Sequence, residues 1–299
     1  MKICVNSIKM SKKLVSKKSK TLKKMNCNPV VRGKTINKRS CFTRKTLSQM
    51  KDAYNRNNSK HQIRSKTTKN IHLELSEKIS ECNEESCWLN QIPERERNQL
   101  REKMFSPKKP YQWKSNPREW LSNIDILNVL RQYEDKHNNF KFIGPTPINY
   151  DTIPKNDGIC VWQELCDFQL QNYIDLGKKK IGIIFNLDRH DQSGSHWVSI
   201  FIDIDEKIIY YFDSAANAIP QEIKKFIDLV SLQSKGTIQF FTNIPHQHQE
   251  GDTECGMYSL FFIITMLEKK ISMKKKINFF TKKHIKDNFV YSFRDKYFN

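Results

Sequence analysis

Apolar positions along the chain follow two different periods, and the change falls near residue 140. Upstream they step by three and four. Stretches 71–82 and 93–105 are expected to be helices, the second opening at Pro93. In "NPREWLSNIDILNVLRQYEDKH" (116–137), Trp120, Ile124, Leu127 and Leu130 recur at helical spacing behind Pro117, which predicts one amphipathic helix. The proline-bounded "SPKKPYQWKSNP" (106–117) connects the two regions. Downstream, "FKFIGPTPINY" is extended and broken by prolines, and 161–176 reads as a helix. Then "IGIIFNL" (181–187), "HWVSIFIDID" (196–205), "KIIYYFD" (207–213) and "TIQFFTNI" (237–244) have strand character, with a tight hairpin at 205–207. A helix is expected at 220–233, an apolar one from Cys255 to Leu267, and a last one near 281–291. The order implies an α+β fold, a small mixed β-sheet packed between helices.

Charge changes this picture at one end. The 299 residues carry a formal net charge of +20. Residues 1–70 hold 21 Lys and Arg against the single acid Asp52, while the other 229 residues balance 31 against 31. With no sustained apolar period, 1–70 is expected to be a disordered basic arm. Such an arm suits electrostatic attachment to DNA or another polyanion. The expected organisation is therefore the arm 1–70, a helical N-terminal segment 71–115 and a globular core 116–299.

The first residues lack an apolar stretch of signal-peptide length, and the longest strongly apolar run, 257–267, is too short to cross a bilayer. These features point to an intracellular protein with no membrane partner. The eight cysteines are then expected to be mostly free thiols. Neither Cys82/Cys87 nor Cys160/Cys166 has zinc-binding spacing, and His246/His248 read as loop residues, so no metal and no cofactor is implied.

One cysteine stands apart. In "HQHQEGDTECGMYSLFFIITML" (246–267), Cys255 lies between a polar, glycine-containing loop and the apolar run. The first turn of a helix presents free N–H groups and the positive end of its dipole, which favour a thiolate. The same N–H groups suit an oxyanion hole, and Gly256 leaves room for close backbone approach. A thiolate nucleophile needs a base, and the base an orienter. His196 opens one strand of the hairpin and Asp213 closes the other, so both side chains are expected to reach one point. Gln249, six residues before Cys255, offers a second oxyanion donor, and Gln247 competes for that role.

The order His…Asp…Gln…Cys, with "WLSNIDILNVL" (120–130), "GSHWVSIFID" (194–203), "YFDS" (211–214) and "NIPHQHQEGDTECGMYSLFFI" (243–263), resembles the ubiquitin-like-protein-specific protease superfamily, the adenain-like cysteine proteases. Within it the wording is most similar to the polyprotein-processing proteases of large DNA viruses such as African swine fever virus, and "CNEESCW" (82–88) resembles their helical domain. The resemblance covers roughly residues 80–295. It implies a papain-like core in which Cys255 is the nucleophile, His196 the general base, Asp213 the orienter and Gln249 the oxyanion donor, by the superfamily's six-residue spacing. Trp197 would shield the dyad, and Trp120 and Asn123 at the start of their helix would line the substrate cleft. The segment between "HQ" and "ECG" is two residues longer here than in the viral relatives.

The implied function is a cysteine endopeptidase that matures viral structural polyproteins after small residues, at Gly-Gly-Xaa sites, in virions and cytoplasmic assembly sites. A SUMO- or ubiquitin-specific isopeptidase on the same triad is the alternative. An acyltransferase with this residue order, and a DNA-binding protein with an inert protease fold, are further readings.

Overall fold

Alternation along four of the strands builds two cores on one sheet. The structure, a computed structural model, describes residues 22–155, 158–268 and 271–299. Strands β1 (Phe140–Pro147), β2 (Lys180–Asn186), β3 (Trp197–Asp203), β4 (Ile208–Phe212) and β5 (Gln239–Thr242) lie side by side in chain order. The β2–β3 and β3–β4 pairs are antiparallel, and both outer pairs are parallel, so the sheet is mixed. One face, with Phe142, Ile184, Phe201, Tyr210 and Phe212, packs on helices α5 (Asn123–Lys136) and α9 (Cys255–Leu267). The other, with Ile183, Phe185, Ile200 and Tyr211, packs on α7 (Leu170–Asp175) and α8 (Gln221–Gln233). The α+β expectation and the central helix hold. Helix α9 is apolar around nearly its whole circumference because it is enclosed between the sheet, α5 and the later helices α10 (Met273–Lys282) and α11 (Asp287–Tyr291).

Several expectations are corrected. The basic stretch 1–70 is not a disordered arm from residue 22 onward. Helices α1 (Arg44–Asn57), α2 (Thr68–Lys78), α3 (Glu85–Trp88) and α4 (Glu94–Met104) enclose a third core. Phe42, Leu47, Met50 and Tyr54 supply its first wall; a helical apolar stripe is present there, diluted by the lysines and asparagines around it. The helical segment therefore begins well before residue 71. The part of the arm at 1–21 lies outside the described residues.

Six cysteines pair as Cys27–Cys41, Cys82–Cys87 and Cys160–Cys166 rather than standing free, which leaves Cys255 as the free thiol among the described residues. Helix α5 starts at Asn123, not near Pro117, because Ser122 and Asp125 form a reciprocal capping box there. Stretch 161–176 is two helices, α6 (Gln163–Cys166) and α7. Gln233 accepts from Leu170 N and donates to Phe168 O, satisfying backbone groups at the break. The last expected helix is also divided, into the end of α10 and α11, followed by α12 (Arg294–Tyr297). Among the described residues no helix is long and apolar enough to cross a membrane.

Candidate active site

Cys255 is the first residue of α9, 1% exposed. His196 sits at the mouth of β3, where its carbonyl accepts from Leu187 N at 2.9 Å. The β3–β4 register pairs Ser199 with Phe212, so Asp213 emerges one step past the ladder, level with the start of β3. His196 Nε2 donates to Asp213 Oδ1 at 2.6 Å, and the imidazole also hydrogen-bonds with Cys255. Burial by itself would lower the His196 pKa. The hydrogen bonds with Asp213 and Cys255 outweigh it and raise the imidazole to about 9.

Asp213 is fully buried and fixed at every oxygen. Its Oδ1 also accepts from Ala215 N at 2.9 Å, and Oδ2 from Asn217 N at 3.0 Å. Asn243 brackets its backbone: Oδ1 accepts from Asp213 N at 3.1 Å, and Nδ2 donates to Asp213 O at 2.7 Å. Asn243 is a supporting residue that sequence reasoning missed. Its only signal was a polar residue closing a strand, in "TNIP".

The loop before α9 is anchored on Ser214. The Ser214 carbonyl accepts from both His248 N and Gln249 N at 2.9 Å, and its hydroxyl donates to Gln249 Oε1 at 2.8 Å. With Oε1 occupied, the Gln249 amide nitrogen is fixed as the donor end, and one of its hydrogens reaches Gly251 O at 2.7 Å. Gln249 is buried whereas Gln247 is exposed and donates to Gln249 O at 2.6 Å. His248 is enclosed beneath the loop, its Nε2 donating to Phe280 O at 2.9 Å; burial lowers its pKa to about 4.

Trp197 is buried, and its Nε1 donates to Leu121 O at 3.2 Å. This joins the segment before α5 to the start of β3. A Cβ on Gly256 would lie 3.1 Å from Leu121 Cβ and 3.2 Å from Trp197 Cδ1. The space expected for substrate approach at Gly256 is thus filled by these two walls. Trp120, 37% exposed, precedes α5 rather than lying on it. Asn123 opens the helix at the surface, its Oδ1 accepting from Ile124 N at 2.9 Å, and among the described residues no hydrogen bond joins it to His196 or Cys255.

Sequence reasoning also missed the charge pair beside Cys255. Glu254, 1% exposed, accepts from both Nε and Nη2 of Arg294 at 3.1 Å. Arg294 is equally buried, donates to the carbonyls of Pro117 and Glu119, and lies 4.3 Å from the Trp113 ring centroid. A residue near the end of the chain thus holds both the start of α9 and the segment leading to Trp120. The 40-residue separation of Glu254 and Arg294 gave no local signal.

Residues 176–299 match the model of the Ulp1 protease family, C-terminal catalytic domain. A protein of Acanthamoeba polyphaga mimivirus named as a thiol protease is 37% identical over 157 residues, covering 51% of this chain and 49% of that protein. A SUMO-1 cysteine protease of African swine fever virus is 34% identical over 122 residues, covering 39% and 43%. The chain spans about half the length of the curated relatives it matches. The crystal structure of an African swine fever virus protease shares the fold with a TM-score of 0.61 at 21% identity, over 93% of this chain and 97% of that one.

Proposed function

We propose that this chain, whose residues 176–299 match the catalytic-domain model of the Ulp1 protease family, is a cysteine endopeptidase that cleaves viral structural precursors after Gly-Gly. The observation that carries the reading is His196 held between Asp213 and a free thiol at the first turn of α9. Cys255 Sγ attacks the scissile carbonyl carbon. The oxyanion is received by the Cys255 backbone N–H and the remaining hydrogen of Gln249 Nε2. His196, which holds a proton through neutral pH, gives it to the leaving amine as the C–N bond breaks and a thioester forms. It then takes a proton from water as that water attacks the thioester; the new carboxylic acid leaves and ionises in solvent, and the Cys255 thiolate is restored beside the protonated imidazole.

Leu121 and Trp197 pack together against Gly256, the residue after the thiol, and the Gly-Gly preference follows the family resemblance. The second reading, removal of a SUMO-like modifier from conjugates, is favoured by the name of the African swine fever virus relative. The two separate on substrate. The purified chain is incubated with a Gly-Gly-containing precursor from a large DNA virus and with a SUMO fusion, beside the Cys255→Ala variant, and products are read by mass spectrometry. Cys255-dependent cleavage of the precursor alone is the expected result. Cleavage of the SUMO fusion alone would transfer the function to modifier removal, and cleavage of neither would end the protease reading.

A further inference from the structure

The chain's net charge resides in one part of it. Residues 1–114 carry 29 Lys and Arg against nine acids, whereas residues 115–299 carry 23 of each. Because residues 22–104 fold into helices and turns around a core of their own, most of these cations occupy fixed positions.

Seven of them, with Arg131, line a groove of about 1440 Å³ where the N-terminal helices meet α5 and the last residues of the chain. Exposed Lys23, Lys24, Lys103, Lys108, Lys114 and Arg131 line it. In all, the described walls hold eight cations and four carboxylates, and one carboxylate, Asp295, is already paired with Lys109 at 2.6 Å. Tyr111 stands 77% exposed in the same wall, with Lys114 Nζ 4.7 Å from its ring centroid.

We propose that this groove binds the phosphodiester backbone of a nucleic acid. Clustered lysines neutralise successive phosphates and release their counterions. An exposed aromatic ring among them is what a base stacks upon, and an acidic protein surface would have no use for it. The chain's own upstream segment is excluded as occupant by its sign: residues 1–21 contain seven lysines and no acid. The polyanion partner expected of a disordered arm is thereby assigned to a folded surface.

The test is fluorescence anisotropy on the full chain with a labelled single strand of about 20 nucleotides and a duplex of similar length, titrated across salt concentrations. Lys103→Glu/Lys108→Glu/Lys114→Glu is compared with a control, Lys224→Glu/Lys225→Glu, on the exposed side of α8. The groove variant is expected to bind roughly tenfold or more weakly, with a salt slope shallower by about three, while the control stays within about twofold of the parent. A stronger effect on the single strand assigns Tyr111 a stacking role; an equal effect assigns the groove to the backbone alone. Cleavage of a short Gly-Gly peptide, unchanged in the groove variant, verifies that it is folded. Undiminished DNA binding by the groove variant would overturn the proposal, as would competition by polyglutamate equal to that by unlabelled DNA. Loss of all binding on deleting residues 1–21, with the groove variant unaffected, would place the site in that segment instead.

Discussion

His196 and His248 both start from an ordinary imidazole pKa of 6.5, and the fold moves them in opposite directions, to about 9 and about 4. Between pH 6.5 and 9 the folded state retains a proton at His196 that the unfolded chain has released. That contribution is full below 6.5 and is lost as pH rises through 9. Between 6.5 and 4 the unfolded chain binds a proton at His248 that the folded state refuses, so stability falls as pH drops through that window. Denaturant midpoints measured from pH 4 to 9 are expected to peak near 6.5, with losses on the order of 3 kcal/mol toward each end. Asp213→Asn removes the charged partner of His196. The alkaline limb of kcat/KM is then expected to move below 9, with turnover reduced roughly 10²-fold or more, since Asp213 orients and stabilises rather than reacts. An unmoved limb would detach His196 from Asp213. At this scale the meeting of His196, Asp213 and Cys255 was legible: each ends or begins an element, and the three side chains lie together. Asn243 and Ser214 were not, because a buried amide or hydroxyl that serves a neighbour's backbone has no distinguishing pattern along the chain.

At the scale of elements, α9 connects the core to the chemistry. Phe262 lies on its sheet-facing side, fully buried and stacked on Phe212 with ring centroids 4.7 Å apart. Phe262→Ala is expected to cost about 3–5 kcal/mol in chemical denaturation. Gly256→Ala is a finer probe. The added methyl must displace Leu121 or Trp197, so a loss of about 1–3 kcal/mol is expected together with a lower kcat/KM for Gly-Gly peptides. A variant as stable and active as the parent would show that these walls yield freely. Element type was readable wherever a single burial environment ran the full length, as in α8 and α9. It failed at 161–176 and 281–291, where helical periodicity continues through a break made by distant partners: Gln233 in one case, and in the other the His248 ring, whose Nδ1 accepts from Ile285 N at 3.3 Å.

Over the whole molecule, a buried ion pair ties the end of the chain to the residue before Cys255. Arg294→Met would strip Glu254 of its buried partner and leave it only the half-exposed Arg118 at 3.6 Å, with an expected loss of up to about 3–5 kcal/mol. Adding Glu254→Gln should recover part of it, and an unfolding series on the two variants measures the difference. The boundary between the N-terminal helices and the core was misread because composition outweighed pattern. Lysine and asparagine dominate residues 22–70, yet Phe42, Leu47, Met50 and Tyr54 suffice to close a core against α2 and the residues around Trp88. The cysteine pairings were likewise hidden, since they follow from where the loops fold and not from spacing.

The central claim is that Cys255 is the nucleophile, activated by His196. It is tested most directly by intact-mass spectrometry of the chain after exposure to a Gly-Gly peptide bearing a C-terminal vinyl sulfone, followed by peptide mapping. A single adduct on Cys255, strongly slowed in His196→Ala and absent in Cys255→Ala, is the predicted result. An adduct on any other cysteine, or equal labelling of the parent and His196→Ala, would contradict it.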